Sequence, residues 1–193
     1  MAVTYPLDIP TDIGIAQITI TPVNATSLPT SPFTFKQQTL VFPGERWEAS
    51  IVLPRQRREF IAPWKGFLTS LRGQVGTFLL GDPDYTSPRG TVSSCSISGS
   101  AGDRSVTATM TGSLLSGDYI QLGTESSTHL HQVVEDLSGS GTLEIWPALR
   151  DNYSGSVTFN SPKGLFRLAT SSTPWSIDEN NSYSISFDCV EVL

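Results

Sequence analysis

The sequence predicts a mainly β fold that contains one α-helix and a separate, smaller β unit inserted into the larger one. Ser and Thr account for 47 of the 193 residues, beside 16 Gly and 13 Pro, and this composition favours short strands and turns over long helices. Several short segments alternate apolar and polar residues, as strands with one buried face do. A single segment has its apolar residues at helical spacing.

Charge and cysteine content exclude several classes of protein. The net charge of −6 argues against a general nucleic-acid binder, which normally has a basic face. No apolar run approaches the ~20 residues that span a bilayer, and the N-terminal segment lacks the pattern of a signal peptide. Cys95 and Cys189 lie far apart in the sequence, which fits neither a disulfide framework nor a zinc site. We expect a soluble protein of a reducing compartment.

The balance of charge changes near residue 90. The stretch from Lys36 to Arg89 contains eight Lys or Arg and five Asp or Glu, whereas residues 91–160 contain two and seven. The second stretch is also dominated by Ser, Thr and Gly. Such a shift in composition is typical of a domain boundary. We predict one domain from residues 1–90 and 164–193, and a second domain inserted at residues 91–163.

The first stretch contains the clearest strand and the helix. Apolar and polar residues alternate over residues 47–53, which predicts a half-buried strand. An amphipathic helix is predicted next, with an apolar face made of Phe60, Ile61, Trp64, Phe67, Leu68 and Leu71. Pro63 requires either a helix that begins near Ala62 or a kink. Gly73 is the expected C-terminal stop.

Short strands and turns follow the helix. Residues 76–83 predict a strand that ends in a Gly-Asp-Pro turn. The next strands are predicted at Val92–Ile97, Ser105–Met110, Asp118–Leu122, Leu130–Glu135, Thr142–Trp146 and Ser156–Phe159. Five or six strands in about 70 residues predict a small closed barrel or a compact sandwich. Strands at residues 165–169 and 184–190 return to the first domain, and the last strand completes its sheet. Residues 22–32 predict a loop or arm.

No combination of residues predicts catalysis. His129 and His131 would project from the same face of a strand, about 7 Å apart, and could hold a metal ion. A third ligand is not apparent, and a partly exposed strand with two imidazoles is the simpler interpretation. The glycine-rich segments lack the Lys and the helix of a phosphate-binding loop. We expect no enzyme activity and no cofactor, and leave metal binding by the two histidines open.

One group of residues is a candidate for contacts between proteins. Arg55, Arg57 and Arg58 lie at the predicted start of the helix, where cations oppose the helix dipole. They form either a solvated face or a surface for an acidic partner, such as another copy of this acidic chain. Trp175 lies in a predicted loop and is a candidate contact aromatic.

A second group would act if the predicted barrel binds carbohydrate. Such a barrel needs exposed aromatic side chains. Trp146 and Tyr153 flank a polar turn and are the candidates for glycan contact.

The first stretch also resembles a known sequence pattern. Tail proteins of long-tailed bacteriophages have a strand with an aromatic residue and Trp, then a Trp-x-x-Phe-Leu-x-x-Leu helix, then Gly-x-x-Gly-Thr-Phe-x-Leu-x-Asp-Pro. The matching residues here are Trp47, Trp64, Phe67, Leu68, Leu71, Gly73, Gly76, Thr77, Phe78, Asp82 and Pro83. Residues 117–150, followed by residues 162–169, resemble the inserted segment of the same group. The resemblance covers residues 42–169.

Within that group the chain resembles the distal tail protein, a ring that joins the tail tube to the tail tip. The resemblance implies a sandwich-like hub domain with one helix and an inserted small barrel of the oligonucleotide/oligosaccharide-binding (OB) type. It also implies a homohexameric ring in the virion, without catalysis, in contact with the tail tube protein, the tail hub or tip protein and, as a further candidate, the tape measure protein. The strand at residues 184–190 would then add to a neighbour's sheet. The alternatives are a minor tail or tail-completion protein of the same fold, or a module that binds host glycans.

Overall fold

Short β-strands and one α-helix form the part of the chain that the computed structural model describes, residues 3–193. The elements, in chain order, are β1 (Leu7–Asp8), β2 (Gln17–Ser27), β3 (Leu40–Val52), β4 (Gln56–Arg57), α1 (Arg58–Ser70), β5 (Thr77–Leu80), β6 (Ser94–Gly99), β7 (Ser105–Thr111), β8 (Ser113–Leu114), β9 (Tyr119–Leu122), a 3-10 turn (Glu125–Ser127), β10 (His129–Val133), β11 (Leu137–Ser138), β12 (Gly141–Trp146), β13 (Tyr153–Ser156), β14 (Gly164–Leu168), β15 (Trp175–Ile177) and β16 (Ser182–Glu191). The prediction of a mainly β fold with one helix is confirmed.

Eight strands form the first sheet, in the order β1-β5-β14-β16-β3-β2, with β4 and β15 paired to β16 beside this path. The last strand lies in the interior of this sheet, between β14 and β3. Its backbone groups are therefore already used, and the expectation that residues 184–190 extend a neighbour's sheet is wrong. The long free edge belongs to β2 instead.

The helix packs its apolar face on the first sheet, as predicted. The ring of Phe67 contacts those of Trp64 and Phe78 edge to face, at centroid distances of 5.7 and 5.5 Å. Trp64 also lies 6.1 Å from the ring of Phe187 in β16. The exception is Phe60, which lies in the first turn of the helix and is exposed. Aromatic packing on the sheet therefore holds the middle and end of the helix.

Of the two alternatives predicted for Pro63, a helix that begins near Ala62 is wrong. The helix begins at Arg58, and Pro63 lies inside it. β4 pairs with β16 just before the helix and sets where the chain enters it. Full burial of Ile61 and Trp64 offsets the hydrogen bond that Pro63 cannot donate. In residues 3–193 no helix has the length and apolar character needed to cross a lipid bilayer.

β2 and β3 form a long hairpin that extends from the first sheet. Their pairing runs from Gln17 opposite Val52 to Ser27 opposite Leu40. The predicted loop at residues 22–32 is therefore wrong for its first half, because residues 22–27 belong to β2. Proline is tolerated there since β2 is an edge strand. We call residues 22–44 the arm; nearly all of its side chains are exposed.

Six strands form the second sheet, in the order β13-β6-β7-β12-β10-β9. Its two ends meet where the backbones of Gln121 and Thr158 exchange hydrogen bonds of 2.7 and 3.0 Å. This bridge nearly closes the sheet, and the predicted barrel is confirmed. The last strand of the barrel is β13, three residues before the predicted Ser156–Phe159, which the chain uses for the bridge. In the sequence, all six strands of this sheet come after β5 and before β14, and these two strands are paired with each other in the first sheet.

Candidate interaction surfaces

The candidate arginines and Trp175 lie in or next to short elements that flank the same stretch of the last strand, β16. β4 places Arg57 opposite Ser182, and β15 places Trp175 opposite Ile185, so that the two strands flank β16. Trp175 is therefore the first residue of a strand, and its prediction as a loop residue is wrong. Its side chain is 41% exposed. We call Arg55, Arg57, Arg58 and Trp175 the arginine–tryptophan surface.

Two of the cations on the arginine–tryptophan surface have no acidic partner within the described chain. Arg55 lies 3.5 Å from the carboxylate of Asp178, an exposed pair that contributes little to stability. Arg57 and Arg58 form no ion pair with any of residues 3–193. Arg57 and Arg58 are thus exposed cations without an ion-pair partner in the described chain, in a groove that Glu59 also lines.

Lys65 links the helix to this surface. Its Nζ lies 4.9 Å from the ring centroids of both Trp175 and Tyr183, within the range of cation–π attraction. Sequence reasoning did not select Lys65, because only the pairing of β15 with β16 brings the two rings to one ammonium group. Trp175 is thus held in place and presents its remaining exposed face to solvent.

A buried charged network joins the two sheets at the base of the arm. The carboxylate of Glu45 accepts hydrogen bonds from Arg104 (2.6 Å) and from the backbone N–H of Ala148 (2.8 Å). Arg150 donates to the carbonyl of Glu45 (2.7 Å) and to Glu191 Oε2 (3.0 Å). Burial raises the pKa of Glu191, and the charge of Arg150 opposes this shift. The network fixes the second sheet against β3.

The two candidate glycan-binding aromatics make contacts within the chain. The indole Nε1 of Trp146 donates to Asn24 Oδ1 at 2.9 Å, and the half-buried ring packs on Trp47. The hydroxyl of Tyr153 donates to the carbonyl of Ser156 at 2.6 Å. The structure accounts for both rings by packing, and their binding of glycans stays a prediction.

We expected both histidines on a partly exposed strand, and for His131 this is wrong: its side chain is buried in the second sheet. Its Nδ1 donates to the carbonyl of Pro147 at 2.7 Å, and burial lowers its pKa to about 4. Burial, with the charge of Arg150, also lowers the pKa of His129. Among residues 3–193 no group of three or more His, Cys, Asp or Glu side chains is arranged to hold a metal ion. His131 is thus a neutral structural side chain, and metal binding by the pair stays a prediction.

Sequence reasoning missed the most exposed apolar residues of the described chain, which lie at the end of the arm. Phe33 is 92% exposed and Phe35 is 79% exposed. Single exposed apolar residues are common, whereas a cluster of them marks an interaction surface. The sequence signal was two phenylalanines in a Ser-Pro-Phe-Thr-Phe segment, with no apolar periodicity to assign them to a core.

Comparison of the sequence with protein-family models gives no match, and comparison with curated proteins gives no significant match.

Proposed function

We propose that this protein is a structural protein of the bacteriophage virion: a distal tail protein that forms a homohexameric ring and joins the tail tube to the tail tip or baseplate. The observation that carries the proposal is where the motif residues lie. Trp47, Trp64 and Phe78, from the three parts of the motif, are all buried in one core. The residues that carry the resemblance thus lie together in the core between the first sheet and the helix, which supports the proposal.

The arrangement of the two sheets supports the same proposal. A nearly closed six-stranded barrel is inserted between two neighbouring strands of a sheet that has one helix on it. This is the layout that the resemblance implies for a hub with an attached barrel. Hydrogen bonds and an ion pair join the two sheets at their junction, which suits a subunit that connects other proteins.

The charge distribution supports contact between copies of the chain. Arg57 and Arg58 are exposed and form no ion pair in the described chain, while residues 91–160 have five more acidic than basic side chains. Opposite charges on two parts of one chain favour association of copies. The further partners we propose are the tail tube protein, the tail hub or tip protein and the tape measure protein.

The mass of the purified protein in solution tests the proposal. Light scattering should give about 125 kDa, for six chains of 20.9 kDa each, or a multiple of it, and negative-stain images should show rings with a central channel. A variant with Arg57→Glu and Arg58→Glu should assemble less well, whereas Glu125→Gln, an exposed change elsewhere, should leave assembly unchanged. A chain of 20.9 kDa over a wide range of concentration would contradict the proposal.

The alternative, a minor tail or tail-completion protein of the same fold, differs from a distal tail protein in its position along the phage tail. Antibody labelling of intact virions separates the two. Label at the tip of the tail supports the proposal, and label at the junction with the head contradicts it.

A further inference from the structure

The end of the arm is an exposed apolar cluster that nothing in the described chain covers. We call the four exposed apolar side chains nearest the turn the tip: Leu28, Phe33, Phe35 and Leu40. The backbone there is ordered by a bridge between Thr30 and Gln37, and the N–H of Phe35 donates to the carbonyl of Ser31 at 2.9 Å. Phe35 has a φ of 54°, a left-handed conformation that bulky residues rarely adopt. The turn therefore holds its phenyl rings in solvent instead of folding them back.

The same chain has an apolar cavity that none of its own side chains fills. The cavity lies between residues 9–15, 81–86 and 161–163, with a volume of about 330 Å³. Its apolar wall is made of Ile9, Pro10, Ile13, Ile15, Pro83 and Pro162. This volume is at the lower end of the ~300–1,000 Å³ of pockets that bind small molecules, and it has room for a phenyl ring.

The tip and the cavity lie beyond opposite ends of β2. The cavity segment of residues 9–15 leads into the start of β2 at Gln17, whereas the tip follows its end at Ser27. The ten residue steps between these ends span about 33 Å at ~3.3 Å per residue. A contact between the two surfaces thus joins different faces of two copies, which is the arrangement that generates rings when the rotation closes.

Charge at the two surfaces is complementary. Lys36 follows Phe35 in the turn at the end of the arm and forms no ion pair within residues 3–193. Asp82 and Lys163 line the cavity, Lys163 is paired with Asp8 at 3.1 Å, and the exposed Asp84 follows Asp82 two residues later. The carboxylates near the cavity therefore outnumber its one cation. An arm that placed Phe35 in the cavity would bring the ammonium group of Lys36 toward these carboxylates, and this favours a second copy of the chain over a neutral occupant.

We infer that the arm of one copy inserts Phe33 or Phe35 into the cavity of the next copy and that this contact closes the ring. The inference rests on the proposed function: it assigns a second contact between copies of the chain, in addition to the one proposed for Arg57 and Arg58. This contact would also explain the exposed phenyl rings of the arm, which pack against nothing in the described structure.

Two variants test the inference, each of which alters one side of the contact. The tip variant has Phe33→Ser and Phe35→Ser, both at exposed positions. The cavity variant has Thr86→Trp, which fills the cavity from an exposed position on its wall. The matched control has Val75→Ser and Val134→Ser, two exposed apolar residues outside both surfaces. The readouts are mass by light scattering and the circular dichroism spectrum of the β fold.

Each altered variant should retain the spectrum and lose the ring, with a dissociation constant raised about 100-fold, as for hot-spot residues. The control should assemble as the unchanged chain does. An equal mixture of the tip and cavity variants should form pairs of about 42 kDa, two chains of 20.9 kDa, because one intact arm then meets one intact cavity.

The outcomes separate this inference from the proposed function. A tip variant that still forms the ring overturns the inference and leaves the proposed function standing; the tip would then meet another tail protein. A folded, unaltered chain that forms no ring contradicts the proposed function, and the inference with it. Variants that both lose the ring but form no pairs in the mixture overturn the assignment of the tip to the cavity.

Discussion

Trp47 of the first sheet and Trp146 of the second meet edge to face, with ring centroids 4.5 Å apart and ring planes at 87°. Each indole N–H also donates across the junction, from Trp47 to the carbonyl of Leu130 and from Trp146 to Asn24, both at 2.9 Å. Both indole N–H groups are thus satisfied by the opposite sheet, and the pair joins the two sheets. It lies beside the base of the arm.

We expect Trp146→Ala to destabilise the protein although Trp146 is only half-buried. The change removes the edge-to-face contact and the hydrogen bond to Asn24, and should lower the free energy of unfolding by about 2 kcal/mol. Urea unfolding followed by fluorescence measures it. Trp175→Ala, at an exposed tryptophan, is the matched control and should cost less than about 1 kcal/mol. An equal decrease in the free energy of unfolding for the two variants would contradict a stabilising role of the contact between Trp47 and Trp146.

Arg150→Met should lower the free energy of unfolding more than a double variant that removes both charges of the ion pair. Arg150 pairs with Glu191, whose side chain is fully buried, and an unpaired buried carboxylate costs about 3 kcal/mol or more. The double variant Arg150→Met with Glu191→Gln removes that charge and should recover part of the loss. Urea unfolding of the two single variants and the double variant gives the coupling between the residues. Strictly additive losses would contradict a direct interaction.

The stability of the protein should fall in mild acid because of His131. Its pKa is about 4 in the folded chain against 6.5 when unfolded, so the unfolded chain binds more protons between these values. Stability is then present above pH 6.5 and is lost as the pH falls toward 4, by roughly 3 kcal/mol.

His131→Asn tests this origin of the pH dependence. Asparagine keeps a donor for the carbonyl of Pro147 but does not titrate. Unfolding in urea across this pH range should show a flatter profile for the variant than for the unchanged chain. Glu191, whose raised pKa acts in the opposite direction, is present in both and does not affect the comparison. Parallel profiles would exclude His131 as the cause.

Neither cysteine should react with thiol reagents while the protein is folded. Burial raises the pKa of Cys189 to about 12 and also raises that of Cys95, and both thiols are buried away from the reagent, so both lose thiolate and access compared with the unfolded chain. Both should react at once in denaturing urea. Maleimide labelling followed by mass spectrometry measures the difference, with Cys95→Ala and Cys189→Ala to assign each thiol. Rapid labelling of the folded chain would show that its cores open easily.

The sequence predicts elements well where local pattern and burial coincide. The alternation from Trp47 to Leu53 corresponds to alternating burial along the end of β3 and the residue after it, and the apolar helix face from Ile61 to Leu71 is buried. The same local rule fails where distant pairing decides. The helix begins at Arg58 because β4 pairs with a strand more than 120 residues later, and Trp175 lies in a strand through the same partner.

The candidate surfaces were predicted less completely than the fold. Arg57 and Trp175 were identifiable as single residues, but only β16 brings them to one stretch. Phe33 was missed because an exposed apolar residue in a turn has neither the period of a strand nor that of a helix. Trp146 was chosen as a binding candidate because it is an aromatic residue beside a polar turn. Its contact with Trp47 could not be predicted, because it depends on how two distant segments pack.

The insertion of the barrel between adjacent strands has a consequence for the evolution of this chain. Leu80, where the chain leaves the first sheet, is paired with Gly164, where it returns, so the two junctions are about 5 Å apart. A short hairpin turn could bridge that gap, since the entropy of closing a loop changes slowly with its length. The connections of the barrel therefore leave the strands on either side in register, and exchange for another unit is limited by the contacts across the junction: a replacement would have to supply a partner for the buried Glu191, which Arg150 now pairs.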